Sequence, residues 1–185
     1  IVGEFAVALS LALPIWMLTE SINTAFMPWS FERFSKGKLD IVVGASYLLL
    51  IGLFIIGVLY SILLFFTFDL IVGEAFKNVL YPALILIWAG WFKLAYYCVI
   101  KGLFFSEKTN YLPLISILSG SVYLGLIYFN INSLTLIDLS IYMNFLYIIM
   151  FVGVFILSQL KFPQPWRQLK SIGKVIKLLK NRILD

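Results

Sequence analysis

Residues 41–68 read IVVGASYLLLIGLFIIGVLYSILLFFTF, an uninterrupted apolar run without a single charge, closed off by Asp40 and Asp69. A helix rises about 1.5 Å per residue and needs roughly 20 apolar residues to cross the hydrocarbon of a bilayer, so this stretch is long enough to span it. Barrel strands, the other way of satisfying the backbone in lipid, are about ten residues long and alternate polar with apolar side chains. A continuous apolar run excludes that pattern and predicts a spanning helix.

Working outward, the same criterion predicts spans at 2–28, 40–68, 78–105, 111–129 and 134–160. The fourth is bounded by Pro113 near its start and by Asn130 and Asn132 after its end, residues suited to helix boundaries and a short turn. The composition agrees: 62% of the chain is hydrophobic, 12% is charged and the mean hydropathy is +1.02, whereas soluble domains are about half apolar and about a quarter charged. The expected fold is all-α, a polytopic transmembrane bundle over residues 1–162 followed by a basic amphipathic tail over 163–185.

The chain has one cysteine, Cys98, and no histidine. An internal disulfide, a hydrolytic triad and a histidine-containing metal site are therefore excluded from these residues. Paired carboxylates at a catalytic spacing, a phosphate-cradling glycine loop and a metal cluster are absent from the sequence, so neither an enzyme nor a cofactor is expected. The net charge of +5 does not predict nucleic-acid binding, because the basic residues gather in short loops and in the tail.

The distribution of basic residues predicts orientation. Arg33, Lys36 and Lys38 follow the first span, Lys101 and Lys108 follow the third, and Lys161, Arg167, Lys170, Lys174, Lys177, Lys180 and Arg182 follow the fifth. Of the fourteen basic residues this leaves only Lys77 and Lys93 elsewhere. Cytoplasmic flanks are enriched in Lys and Arg, which predicts a cytoplasmic C-terminus in the cell inner membrane and a first residue on the far side. With Ile1 in place of methionine and an odd number of spans, the expectation is a fragment preceded by an odd number of further helices. In the tail, Trp166, Leu169, Ile172, Val175, Ile176, Leu179 and Ile183 recur at helical spacing between lysines. This predicts an interfacial helix whose Lys170, Lys174, Lys177 and Lys180 meet anionic lipids.

Lys93 lies near the middle of the third span, too deep for its stem to reach the interface, and a mid-span charge costs about 2.5–3.5 kcal/mol on insertion scales. It must face an aqueous cavity or an acidic partner such as Glu20. Glu20 precedes Ser21, Asn23 and Thr24 in a polar stripe suited to a cavity, which makes Lys93, Glu20 and Asn23 the candidate site residues. Glu4 and Asp138 sit near predicted ends, where solvent or headgroups reach them. Trp88 and Trp91 suit either packing or stacking against a sugar.

The order of motifs resembles the C-terminal half of bacterial polysaccharide flippases of the O-antigen type, within the multidrug/oligosaccharidyl-lipid/polysaccharide exporter superfamily. VGEFAVA is similar to the family's Gly-x-Tyr-x-x-Ala opening of a helix, with Phe5 in the tyrosine place. NTAFMPWSFERF resembles the Asn-x-Ala-Trp-x-Pro stretch ending that helix, with Phe26 in the tryptophan place and Pro28 in the proline place. Lys108, Thr109 and Pro113 match a Lys-Thr loop, and SQLKFPQPW resembles the closing Ser-Gln-x-x-x-Pro-x-Pro segment. After Gly120 the chain departs from the family's Asn-rich helix and Gly-x-x-Gly-Ala-Ala turn. The resemblance implies helices eight to twelve of a two-lobed, twelve-helix transporter that moves a polyprenyl-diphosphate-linked oligosaccharide by alternating access. The missing N-terminal helices would be its partners, and Lys93 would attract the diphosphate. Alternative expectations are an exporter of drugs or peptidoglycan precursor and a segment of a membrane-embedded acyl- or glycosyltransferase.

Overall fold

The computed structural model describes residues 2–168 and 170–184, the side chains of Ala75 and of residues 179–184 excepted. It is all-helical: α1 (Val2–Ser35), α2 (Leu39–Ile71), a short 3-10 turn (Glu74–Val79), α3 (Leu80–Phe105), α4 (Leu112–Phe129), α5 (Leu136–Lys161) and α6 (Lys170–Leu184). Among the described residues five helices are long and apolar enough to cross a membrane. The chain is a polytopic helical membrane protein.

The packing is arranged around α3, which lies against α5, α1 and, less extensively, α2, while α4 packs on α5 and α6 on α2. More than half of the α3 apolar window is buried, against 11–22% for the other four spans, so α3 is the interior helix. The outer surface is as apolar as the core. Phe54, Leu59, Leu63 and Phe66 of α2 and Leu114 and Leu118 of α4 are all exposed, an arrangement that only a hydrocarbon solvent tolerates over so large a surface.

Two of the connections are helix C-caps closed by a residue of positive φ. Gly37 (φ +68°) follows α1, with Gly37 N–H donating to Phe34 O and Lys38 N–H to Arg33 O. Glu107 (φ +56°) follows α3, with Glu107 N–H donating to Phe104 O and Lys108 N–H to Leu103 O. Both satisfy orphan carbonyls in the Schellman pattern. At the start of α5 the Thr135 hydroxyl accepts from Asp138 N–H (3.2 Å) and an Asp138 carboxylate oxygen accepts from Thr135 N–H (2.9 Å), a capping box. Asp138 is thus a helix cap, which accounts for the aspartate expected near an interface.

Phe34, Phe105 and Phe162 meet in one aromatic cluster with ring centroids 5.4–6.0 Å apart. This brings the ends of α1, α3 and α5 to a common face, and the Arg33–Lys38, Lys108 and Lys161–Lys170 segments with them. We call it the tail face. The segregation of positive charge expected from the sequence is therefore also a segregation in space.

Two boundaries differ from expectation. The first helix runs to Ser35, past the end expected near Pro28, and it also contains Pro14. Both prolines are on the exposed side, and the core-facing residues Phe26, Ser30 and Phe34 keep the helical register across Pro28. The Ser30 hydroxyl donates to Phe26 O, and the packed neighbours make a missing backbone hydrogen bond tolerable. At about 51 Å, α1 exceeds the roughly 30 Å hydrocarbon thickness and projects beyond it. In the tail, regular helix starts at Lys170, not Trp166, because Pro163 and Pro165 impose a turn closed by Gln168 N–H to Pro165 O.

The tail helix is strongly amphipathic and docks on the first turns of α2. Val175 is buried, the Ser171 backbone lies against Gly44, and Lys174 Nζ pairs with Asp40 Oδ2 at 2.5 Å. A side chain at Gly44 would overlap the Ser171 carbonyl. We expect Gly44→Val to release α6, seen as at least several-fold faster tryptic cleavage at Lys170 and Lys174 with the spanning core intact. Unchanged cleavage contradicts this docking.

Candidate functional site

Charged side chains enter the bundle in the seam between α1 and α3. On α3, Lys93, Tyr97 and Lys101 are spaced four apart and so share one face. On α1, Trp16, Glu20 and Asn23 do the same at four and three residues. Helix geometry stacks these positions one above another, and docking of the two faces builds a polar ladder inside an apolar bundle.

At mid-span, Lys93 Nζ lies 2.5 Å from Glu20 Oε1, with side-chain exposures of 17% and 46%. The same Glu20 oxygen accepts from the Tyr97 hydroxyl at 2.8 Å. Three aromatic faces surround the ammonium: Trp16 at 5.1 Å, Tyr97 at 5.8 Å and Tyr147 of α5 at 5.9 Å. Ring quadrupoles stabilise a desolvated cation, so the cage and the carboxylate together offset the cost of a charge at this depth. Trp16 is itself held by its indole N–H donating to Leu86 O (2.9 Å) and by an edge contact with Tyr147.

Two turns toward the tail face, Lys101 is fully buried, at 0% exposure. Its Nζ donates to Asn23 Oδ1 and to Tyr97 O, both at 3.0 Å, and sits 4.8 Å from the centre of the Phe26 ring. Among the described residues no carboxylate lies within ion-pair distance of it. Lys93 and Lys101 are about 12 Å apart along the α3 axis, and of the two only Lys93 has a carboxylate partner among the described residues.

The structure places Lys93 and Glu20 in direct contact, whereas Asn23 serves Lys101. Lys101 itself was counted with the basic residues that follow the third span; it lies in the last turns of α3, where Asn23 and Phe26 of α1 cover it. The signal available in the sequence was the four-residue spacing of Lys93, Tyr97 and Lys101.

Close approach of the helices makes the ladder possible. Gly90 has no side chain where Trp16 and Ile15 press against α3, and the one Thr19 hydroxyl proton is shared between Ile15 O (3.0 Å) and, across the seam, Gly90 O (3.2 Å). On the opposite side Asn144 donates to Ile85 O at 3.0 Å, tying α5 to α3. Of the tryptophans considered for sugar stacking, Trp91 donates to Leu50 O at 2.9 Å and Trp88 packs against Phe54. Both belong to the α2–α3 contact. Glu4 lies in the first turn of α1, remote in sequence from the ladder.

No protein-family model, no curated protein and no solved structure matches the chain. Its class is defined by its own features: a helical membrane bundle with a Lys93–Glu20 ion pair and a buried Lys101 in the seam between α1 and α3.

Proposed function

We propose that the chain is part of a transporter that carries an anionic, lipid-linked oligosaccharide across the cytoplasmic membrane for surface polysaccharide synthesis. In this reading the α1–α3 seam faces the transport path. The observation that carries it is the Lys93–Glu20 pair, an ion pair at the middle of a spanning helix whose carboxylate side is half open. Intramembrane ionisable residues are rare, face the bundle interior or a water-filled cavity, and mark substrate or ion pathways. Lys101 adds a second cation to the same seam. A diphosphate entering from the open side would compete with Glu20 for the Lys93 ammonium, and Glu20, once released, would be available to couple an ion. The motif order described above supports a two-lobed exporter in which these five helices form the larger part of one lobe and the remaining helices complete the cavity.

The excess of basic residues on the tail face supports a cytoplasmic C-terminus. Lys170 and Lys177 are exposed on α6 and are suited to anionic headgroups, as is Lys174, whose side chain stays 62% exposed beside Asp40. Lys180, assigned the same role from the sequence, has a side chain outside the described residues.

In the complete protein, Lys93→Glu is expected to abolish surface polysaccharide while the protein remains inserted, and Lys93→Arg to retain export. Normal polysaccharide with Lys93→Glu contradicts the proposal.

A further inference from the structure

A pocket of about 290 Å³ opens near the tail face, between α2, α3, α5 and the 163–168 turn. Tyr47, Phe151, Phe155 and Trp166 wall it, and Arg167 stands at its rim. The Tyr47 and Trp166 rings meet edge to face at 5.6 Å, Phe155 leans on Trp166 at 6.1 Å, and the Tyr47 hydroxyl donates to Trp166 O, so the wall is fixed. A second pocket of about 350 Å³, lined by Ile51, Phe54 and Trp91, shares Tyr47 and Leu50 with the first. The two form one apolar groove that follows α2 from the tail face inward. The α2 lining runs from Tyr47 to Phe54, about 10 Å along the helix, enough for part of one acyl chain.

Arg167 is exposed and has no hydrogen-bond or ion-pair partner among the described residues. A guanidinium at the interface, above an aromatic groove open sideways to hydrocarbon, is complementary to an amphiphile with an anionic head and a long apolar tail. A neighbouring protein helix would fill the apolar walls but would need an acidic residue at the level of Arg167 to match the cation. We infer that this groove is a site for an anionic phospholipid of the tail-face leaflet, with its phosphate on Arg167 and one acyl chain along Tyr47, Leu50 and Phe54. The inference is independent of the transport reading and requires only that the helices span a bilayer. It differs from headgroup attraction by the α6 lysines because it specifies a chain as well as a charge.

Native mass spectrometry of the whole protein, with phosphatidylglycerol and phosphatidylcholine of identical chains, tests it. The wild type should retain phosphatidylglycerol about fivefold better, and short dihexanoyl phosphatidylglycerol or inorganic phosphate should not compete. Arg167→Gln should remove the preference, Leu50→Trp should lower retention of both lipids, and the Lys170→Gln/Lys177→Gln pair should leave the preference in place. A preference that survives Arg167→Gln, vanishes with the α6 pair, or is shared by the short-chain lipid overturns the inference, as does a wild type that retains neither lipid.

Discussion

Replacing Glu20 by lysine is expected to destabilise the bundle by about 2–4 kcal/mol, and exchanging the two charges in Glu20→Lys/Lys93→Glu to recover most of that loss. The single substitution removes the carboxylate held 2.5 Å from Lys93 Nζ and places a second ammonium beside that of Lys93. Removing one partner of a fully buried pair costs about 3–5 kcal/mol, mostly because the other charge stays behind unpaired. The lower figure applies because the Glu20 side chain is 46% exposed, which lets solvent or headgroups relieve part of the repulsion. The exchange restores one pair of opposite charge across the seam, so the folded fraction after heating in detergent should return toward wild type. A double variant no more stable than the single one contradicts the pairing. Export separates stability from transport: the exchange moves the cation from α3 to α1 and surrounds it with different rings, so polysaccharide export should stay lost in a protein that folds.

Gly90→Leu should disrupt the α1–α3 seam as a whole. A Cβ at position 90 would lie 3.0 Å from Trp16 Cδ1 and 3.3 Å from Ile15 Cγ2, closer than relaxed carbon contacts, and leucine adds three more carbons. Overpacking of this kind costs about 1–3 kcal/mol by itself. Displacing α1 would also strain the bonds of Thr19 to Gly90 O and Trp16 to Leu86 O, each worth about 1 kcal/mol when its partner stays buried. A total near 3 kcal/mol would be read as loss of monodisperse protein on size exclusion after mild heating. Gly52→Leu is the matched control, since nothing lies within 4 Å of a Cβ there. Equal behaviour of the two variants contradicts the packing described.

Apolar length, which is local information, was sufficient to read the five spans from the sequence: all five are present, four of them within three residues of the expected limits and the first running seven residues further. Pro28 misleads because a proline suggests a helix end, while the continuation to Ser35 depends on Phe34 meeting Phe105 and Phe162 from other helices. Lys93 was legible as a buried charge because its distance from both helix ends can be counted along the chain. Lys101 was not: a lysine one turn from a helix end looks like a flank, and its burial depends on Asn23 and Phe26 of α1 lying opposite. Asp138 shows the reverse case, a carboxylate whose role is purely local and follows from Thr135 three residues before it.

The central claim is that hydrocarbon surrounds these helices and that water reaches their middle only along the α1–α3 seam. With Cys98 replaced by serine, single cysteines at Glu20 and at Ile55, each about 22–24 Å from its helix end on the tail face, can be compared in native membranes with a water-soluble thiol reagent. Glu20→Cys should react, and the lipid-facing Ile55→Cys should stay unmodified. Equal reactivity at the two positions contradicts the claim.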